Sequence, residues 1–165
     1  MYGISEVISM KIGIMGGTFD PIHNGHLHLA QTALTQFDLD QIWFMPNGMP
    51  PHKKQSSIES DIHERIAMTQ IAIKANKQFY LQEYEAKREK VSYSYKTMEH
   101  FQKMYPLTLL FSAVDDKDYT DMIRTILDKI QFRHVVVTQV GGYRKVPAEQ
   151  LAEIFKENGC PSAEV

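Results

Sequence analysis

The densest chemistry in this chain lies between Gly16 and His26, in the run Gly16-Gly17-Thr18-Phe19-Asp20-Pro21-Ile22-His23-Asn24-Gly25-His26. Two imidazoles three residues apart at a helix start can project toward one phosphate-sized space. Their unperturbed pKa is about 6.5, and a neighbouring phosphate favours the protonated form. Such groups can donate hydrogen bonds to a nucleotide α-phosphate as negative charge builds on its equatorial oxygens. Alignment and charge stabilisation suffice, and no covalent step is needed. Gly16 and Gly17 let the backbone turn tightly and approach a ligand that a Cβ would hold off. Asn24 is placed as the N-cap, leaving free N–H groups and the positive helix end facing an anion.

Two plainer readings compete. A histidine pair is also a metal-site fragment, but zinc wants three or four ligands, and His28, His52 and Cys160 show no supporting spacing. No protein-held metal is expected. A His-x-Gly-His tetrapeptide alone is more often an ordinary polar turn. The whole run, directly after a strand, favours the phosphate site.

These residues need a strand before them and a helix after them, and the chain supplies both. Lys11–Met15 reads as a buried strand and Asn24 to Phe37 as a helix. Gln41–Met45 is a second strand, followed by a Pro/Gly loop from Pro46 to Pro51. A helix from about Glu59 to Lys74 carries Asp61 and Glu64 as a capping pair. Phe79–Gln82 is a weak strand, Tyr95 to Met104 a helix, Leu107–Phe111 a strand and Asp118–Ile130 a helix. Val135–Thr138 is a strand, Pro147 starts a last helix, Gly159 ends it, and a polar tail follows. This alternation is that of βαβ units around a parallel sheet. Right-handed crossovers make the expected architecture a doubly wound α/β sheet, with ligands at the carboxyl ends of its strands.

The Gly16–His26 run resembles the signature of the HxGH nucleotidyltransferases, which bind ATP and transfer adenylyl or cytidylyl groups. Within them, nicotinate mononucleotide adenylyltransferases fit best. Trp43 to Lys53, ending Pro50-Pro51-His52-Lys53, resembles that family's second strand and PPHK loop. Glu85, Arg88 and Ser92-Tyr93-Ser94-Tyr95-Lys96-Thr97 resemble its E-L-x-R and S-Y-T-x-x-T segments, with Ser94 for the preferred Thr and Lys90 for a usual Gly. The Pro50-Pro51-His52-Lys53 and Ser92-Tyr93-Ser94-Tyr95 segments argue against phosphopantetheine adenylyltransferase, the nearest alternative on length. The likeness covers roughly residues 10 to 105.

The resemblance implies a Rossmann-like fold of the HxGH type and the conversion of ATP and nicotinate mononucleotide to deamido-NAD and pyrophosphate, with Mg²⁺ accompanying ATP. It implies catalytic roles for His23 and His26. Gly16, Gly17, Thr18, Phe19, Gly25 and Asp116 would then line the ATP phosphates. Pro51, His52, Lys53, Ser94 and Tyr95 would hold the mononucleotide. Arg65 and Arg88 read as solvated or paired on a helix face and a strand end rather than catalytic.

After Pro106 the pattern departs. The family's F-I-x-G-x-D becomes Phe111-Ser112-Ala113-Val114-Asp115-Asp116, and the only tryptophan is Trp43, so the nicotinate-stacking Trp has no counterpart. No Ile-Ser-Ser-Thr-x-Ile-Arg motif is present, and the arginines left are Arg124, Arg133 and Arg144. Residues 107 to 159 instead look similar to the C-terminal end of folylpolyglutamate synthase, through Leu109 to Tyr119 and Val135-Val136-Val137-Thr138-Gln139. That ligase's own ATP loop is not present, so folate ligation is not implied. The expected organisation is an extension over 1–9 and a single α/β domain over 10–165, its family-matching half at 10–106 and a divergent half at 107–165. Impaired turnover is expected. The alternatives are an inactive hybrid that binds nucleotide weakly and, with no positive feature behind it, an interaction module.

Composition agrees with this frame. At 165 residues and 43% hydrophobic, the chain can build one well-formed core. A formal net charge of −2 argues against a broad footprint for nucleic acid or an anionic membrane. A lone cysteine, Cys160, excludes a disulfide framework and suits a reducing compartment. No signal peptide or membrane span is legible, so a cytoplasmic protein is expected. Oligomeric state is not encoded legibly.

Overall fold

Strand β1 (Ile12–Gly17) pairs in parallel with β2 (Gln41–Pro46), and β2 pairs in parallel with β3 (Phe79–Leu81). Parallel neighbours need a crossover, and α1 (Asn24–Gln36) and α2 (Ile62–Ile73) provide it. Ala30 and Leu34, four apart on α1, pack with Ile42, Phe44, Ile73 and Phe79 into one core. Helix α2 starts as its sequence requires: Asp61 accepts from the His63 and Glu64 N–H groups, and Glu64 reaches back to the Asp61 N–H. This computed structural model describes residues 10–48, 58–88, 93–113, 115, 118–139 and 145–165. The expected extension over 1–9 lies outside them.

The chain divides into two compact units, 1–93 and 94–165. The second repeats the βαβ logic. It contains α3 (Ser94–Phe101), β4 (Leu107–Phe111), α4 (Tyr119–Lys129), β5 (Phe132–Val137), α5 (Ala148–Glu157) and β6 (Ala163–Glu164). Its strands are parallel in the order β4-β5-β6. Phe111, Ile123, Val135, Val137, Leu151 and Phe155 form its core, with the Phe111 and Phe155 rings edge to face at 5.2 Å.

The fold is α/β and Rossmann-like, as the alternating pattern implied. The described strands form two three-stranded parallel sheets. One local expectation is corrected. The C-terminal tail is not a polar coil throughout, because Cys160 and Ala163 are buried and Ala163–Glu164 adds a short strand beside Val135 and Val136.

Candidate active site

Strand β1 ends at Gly17, and residues 18–23 turn the chain into α1. Gly17 and Gly16 are small for different reasons. A Cβ on Gly17 would stand 2.8 Å from Cε1 of Phe19, whose ring folds back over the glycine. A Cβ on Gly16 would meet nothing closer than Asn47 Oδ1 at 4.0 Å. Among the described residues, Gly16 therefore has no close neighbour on its Cβ side, where a ligand can approach the backbone.

His23, not Asn24, is the N-cap of α1. Asn24 is the first helical residue. The exchange has a local cause: the His23 N–H donates to Nδ1 of His26 at 3.2 Å, so the residue three positions on reaches back to the cap. The His26 N–H in turn donates to the His23 carbonyl at 2.9 Å. The two rings lie 3.8 Å apart, tilted by 33°. A Cβ on Gly25 would come within 3.0 Å of His23 Nδ1, so that glycine leaves room for the ring.

An Nδ1 that accepts cannot carry the proton. Neutral His26 therefore holds it on Nε2, which is left as a donor. Partial burial, and then the neighbouring charge of His23, lower the His26 pKa from its ordinary value. Burial disfavours the cation until an anion arrives.

Two further groups fix the turn. The Asp20 carboxylate accepts from the Glu59 N–H at 2.7 Å and the Ser60 N–H at 3.1 Å. The Ser60 hydroxyl first, then those N–H groups and the charge of Arg65, hold the Asp20 carboxyl below its ordinary range against some desolvation. Arg65 of α2 is only 2% exposed. Its Nη1 donates to the carbonyls of Thr18 at 2.7 Å and Asn47 at 2.8 Å, and its Nη2 to Gly48 at 3.2 Å. Burial lowers its pKa, while Asp20 and Asp61 counteract. Of the two states expected for Arg65 on its helix face, solvated or paired, the structure shows a buried cation bonded to carbonyls, which ties the turn after β1 to the loop after β2. The signal lay in the α2 face Arg65, Thr69, Ile73, spaced four apart and all buried.

Across known proteins, residues 14–165 match the cytidylyltransferase-like family. The chain belongs to this family. The family match includes residues 107–165, where the adenylyltransferase motifs depart. The cytidylyltransferase-like chain is 48% identical over 104 residues to nicotinate-nucleotide adenylyltransferase of Bacillus subtilis, covering 63% of this chain and 54% of that protein. It is 36% identical over 152 residues to a probable nicotinate-nucleotide adenylyltransferase of Clostridium acetobutylicum, covering 89% of this chain and 74% of that one. The chain spans about half the length of the curated relatives it matches at 47 to 49% identity. In fold it is similar to a Plasmodium falciparum nicotinic acid mononucleotide adenylyltransferase solved with NaAD. The TM-score is 0.58 at 18% identity, covering 94% of this chain and 74% of that one.

The remaining candidates of this cytidylyltransferase-like chain are placed as follows. Gly16, Gly17, Thr18, Phe19, His23, Gly25 and His26 come together in the first unit. Ser94 and Tyr95 open α3 in the second unit, where the Lys96 and Lys129 Nζ atoms lie 5.9 and 5.6 Å from the Tyr95 ring centroid. Pro51, His52, Lys53 and Asp116 lie outside the described residues. Arg88 is paired as expected, its Nη1 donating to the Tyr84 hydroxyl at 2.8 Å. Nucleotidyltransferases typically use a divalent metal. Among the described residues, no group of three or more His, Cys, Asp or Glu side chains could hold one.

Proposed function

We propose that this chain transfers the adenylyl group of ATP to nicotinate mononucleotide, giving deamido-NAD and pyrophosphate, a step of NAD biosynthesis. The observation behind this is the His23–His26 arrangement at the start of α1, in which Nδ1 of His26 is taken up by the His23 N–H and Nε2–H has no partner among the described residues. The relatives named for this activity support it.

In this mechanism a phosphate oxygen of the mononucleotide attacks the α-phosphorus of ATP in line. The bond from that phosphorus to the bridging oxygen breaks, and its electron pair leaves with pyrophosphate. The backbone of Gly16, Gly17 and Thr18 and the N-terminus of α1 receive the phosphates, with Phe19 and Gly25 shaping the turn. His26, neutral at rest, donates through Nε2–H as negative charge grows, and His23 stands beside it. Following the motif likeness, Asp116 contributes to the ATP side, and Pro51, His52, Lys53, Ser94 and Tyr95 hold the mononucleotide. Mg²⁺ would accompany ATP and offset the charge of its phosphates. The cytoplasm is the proposed compartment, in keeping with the single cysteine; among the described residues, no helix is long and apolar enough to cross a membrane.

A second reading is favoured by Val114 in place of the family glycine and by the missing tryptophan and Ile-Ser-Ser-Thr-x-Ile-Arg motif. In it the chain binds nucleotide weakly without turnover. One coupled experiment separates the two: calorimetry with Mg-ATP and with nicotinate mononucleotide, beside an assay for deamido-NAD. Slow product dependent on both substrates supports transfer. Binding without product assigns the chain to the second reading, and binding of neither nucleotide overturns both.

A further inference from the structure

Phe19 adopts a left-handed backbone (φ 51) although it is not glycine. Such a conformation persists only where its surroundings over-determine it. Both of its neighbours are tied to the beginning of α2. On one side the Thr18 carbonyl takes a hydrogen bond from buried Arg65, and on the other the Asp20 carboxylate takes two from the Glu59 and Ser60 N–H groups. The Thr18–Phe19 peptide is trans. With its carbonyl turned to Arg65, its N–H is directed the opposite way.

The three carbonyls held by Arg65 share a location in the topology. Thr18 directly follows the end of β1, and Asn47 and Gly48 follow the end of β2. That is the edge of a parallel sheet where ligands bind. Burying a guanidinium is unfavourable unless its hydrogen bonds are met. Among the described residues its Nε has no partner, so the two terminal nitrogens alone make the connection. The Phe19 ring meanwhile touches Gly17, tilts against Phe44 at 6.0 Å and meets the His26 ring edge-on at 5.1 Å.

We infer that Arg65 of α2, gripping Thr18, and Asp20, gripped by the Glu59 and Ser60 N–H groups just before α2, form a clamp that holds Phe19 left-handed and, through its ring, sets the pose of the His26 imidazole. Arg65 is a positioning residue, which reaches His26 only through the Thr18 carbonyl and the Phe19 ring. Its importance for catalysis rests on the proposed adenylyl transfer, but the clamp itself is readable without ligand.

The test uses the full chain with Arg65→Lys and, at the half-exposed acid, Asp20→Ala. Lysine keeps the charge but loses the planar fork that reaches three carbonyls. Imidazole ¹⁵N and proton NMR should show His26 in one tautomer in the parent, with a ring-to-ring NOE to Phe19. In folded variants, checked by circular dichroism, the NOE should be lost and the tautomers should mix. The kcat for deamido-NAD should fall by about 10²-fold with KM changed less. Either variant folded with the parental NOE and single tautomer overturns the clamp, and Asp20→Ala keeps the test open if Arg65→Lys does not fold. A parent protein with the NOE and tautomer but no ATP binding refutes the transfer reaction and leaves the clamp standing.

Discussion

The backbone N–H of His23 donates to Nδ1 of His26 across 3.2 Å, so one histidine of the pair anchors the other to the cap of its own helix. The bond decides which ring nitrogen is left for chemistry. It also gives the spacing of three residues a structural cause, since the third residue of the helix reaches its cap.

His26→Ala removes the Nε2–H donor. Its kcat should fall by about 10²–10³-fold, the usual cost of losing one preorganised donor. The fold should lose only about 1 kcal/mol, since a single cap hydrogen bond goes with the ring. Steady-state kinetics beside thermal melting checks both. Near-parental turnover would remove His26 from the mechanism.

The lowered pKa of His26 gives a signed pH dependence. A group whose folded pKa is depressed contributes stability above its ordinary value, about 6.5 for imidazole, and loses it as pH falls through the folded value. Acidification from about pH 7.5 to 5 should therefore destabilise the parent more than His26→Gln. Asp20 and Asp61, also held low, add the same sign in a lower window, losing their contribution as pH falls below about 3.9. Mg-ATP should act oppositely on His26 and draw in protons near pH 6.5, because phosphate favours the imidazolium. Calorimetry in buffers of differing ionisation heat would reveal the uptake, and its absence would place the phosphates away from His26.

Much of this site was legible because its causes are local. The glycines, the histidine spacing and the Asp61–Glu64 cap act within four residues, and β4 fell on Leu107–Phe111 as its apolar run indicated. Arg65 was not legible. Its partners Thr18, Asn47 and Gly48 lie 47, 18 and 17 residues away, and only the assembled sheet brings them to one guanidinium. The shift of the cap from Asn24 to His23 was hidden for a different reason. Asparagine is the better cap by preference, and the reciprocal bond from His26 outweighed it. The short strand β6 was missed because two buried small residues, Cys160 and Ala163, give almost no periodic signal.

The two glycines of the turn should separate folding from binding. Gly17→Ala drives a methyl into the Phe19 ring and should cost about 1–3 kcal/mol of stability, as overpacking does. Among the described residues, Gly16→Ala meets only Asn47 Oδ1, at an ordinary 4.0 Å contact, and should melt like the parent. Its ATP affinity should nevertheless fall, since the added Cβ stands where a phosphate approaches. Unchanged ATP affinity in Gly16→Ala would argue that the ligand does not touch this backbone.

Turnover of the 165-residue chain should be low. In the family that the motifs resemble, the Ile-Ser-Ser-Thr-x-Ile-Arg segment holds the ATP phosphates; it is not among these 165 residues, and contacts of that charge-assisted kind are each worth roughly 1.5–3 kcal/mol. Two or three of them amount to several orders of magnitude, at about tenfold per 1.4 kcal/mol. A coupled NAD-synthesis assay beside an intact relative at equal concentration checks this. Comparable kcat/KM would mean that another residue, among Asp116, Arg124, Arg133, Arg144 and Lys145, fills the role.

The central claim is that ATP binds at the start of α1 with its phosphates against His26. The most direct measurement is an Mg-ATP titration followed through the imidazole ¹⁵N resonances of His23 and His26. Saturable shifts at millimolar ATP are expected at His26: at Nε2 as it meets the phosphate, and at Nδ1 as proton uptake turns the ring to imidazolium and releases the His23 N–H. No shift at either imidazole at millimolar ATP, with the protein folded, would contradict the account.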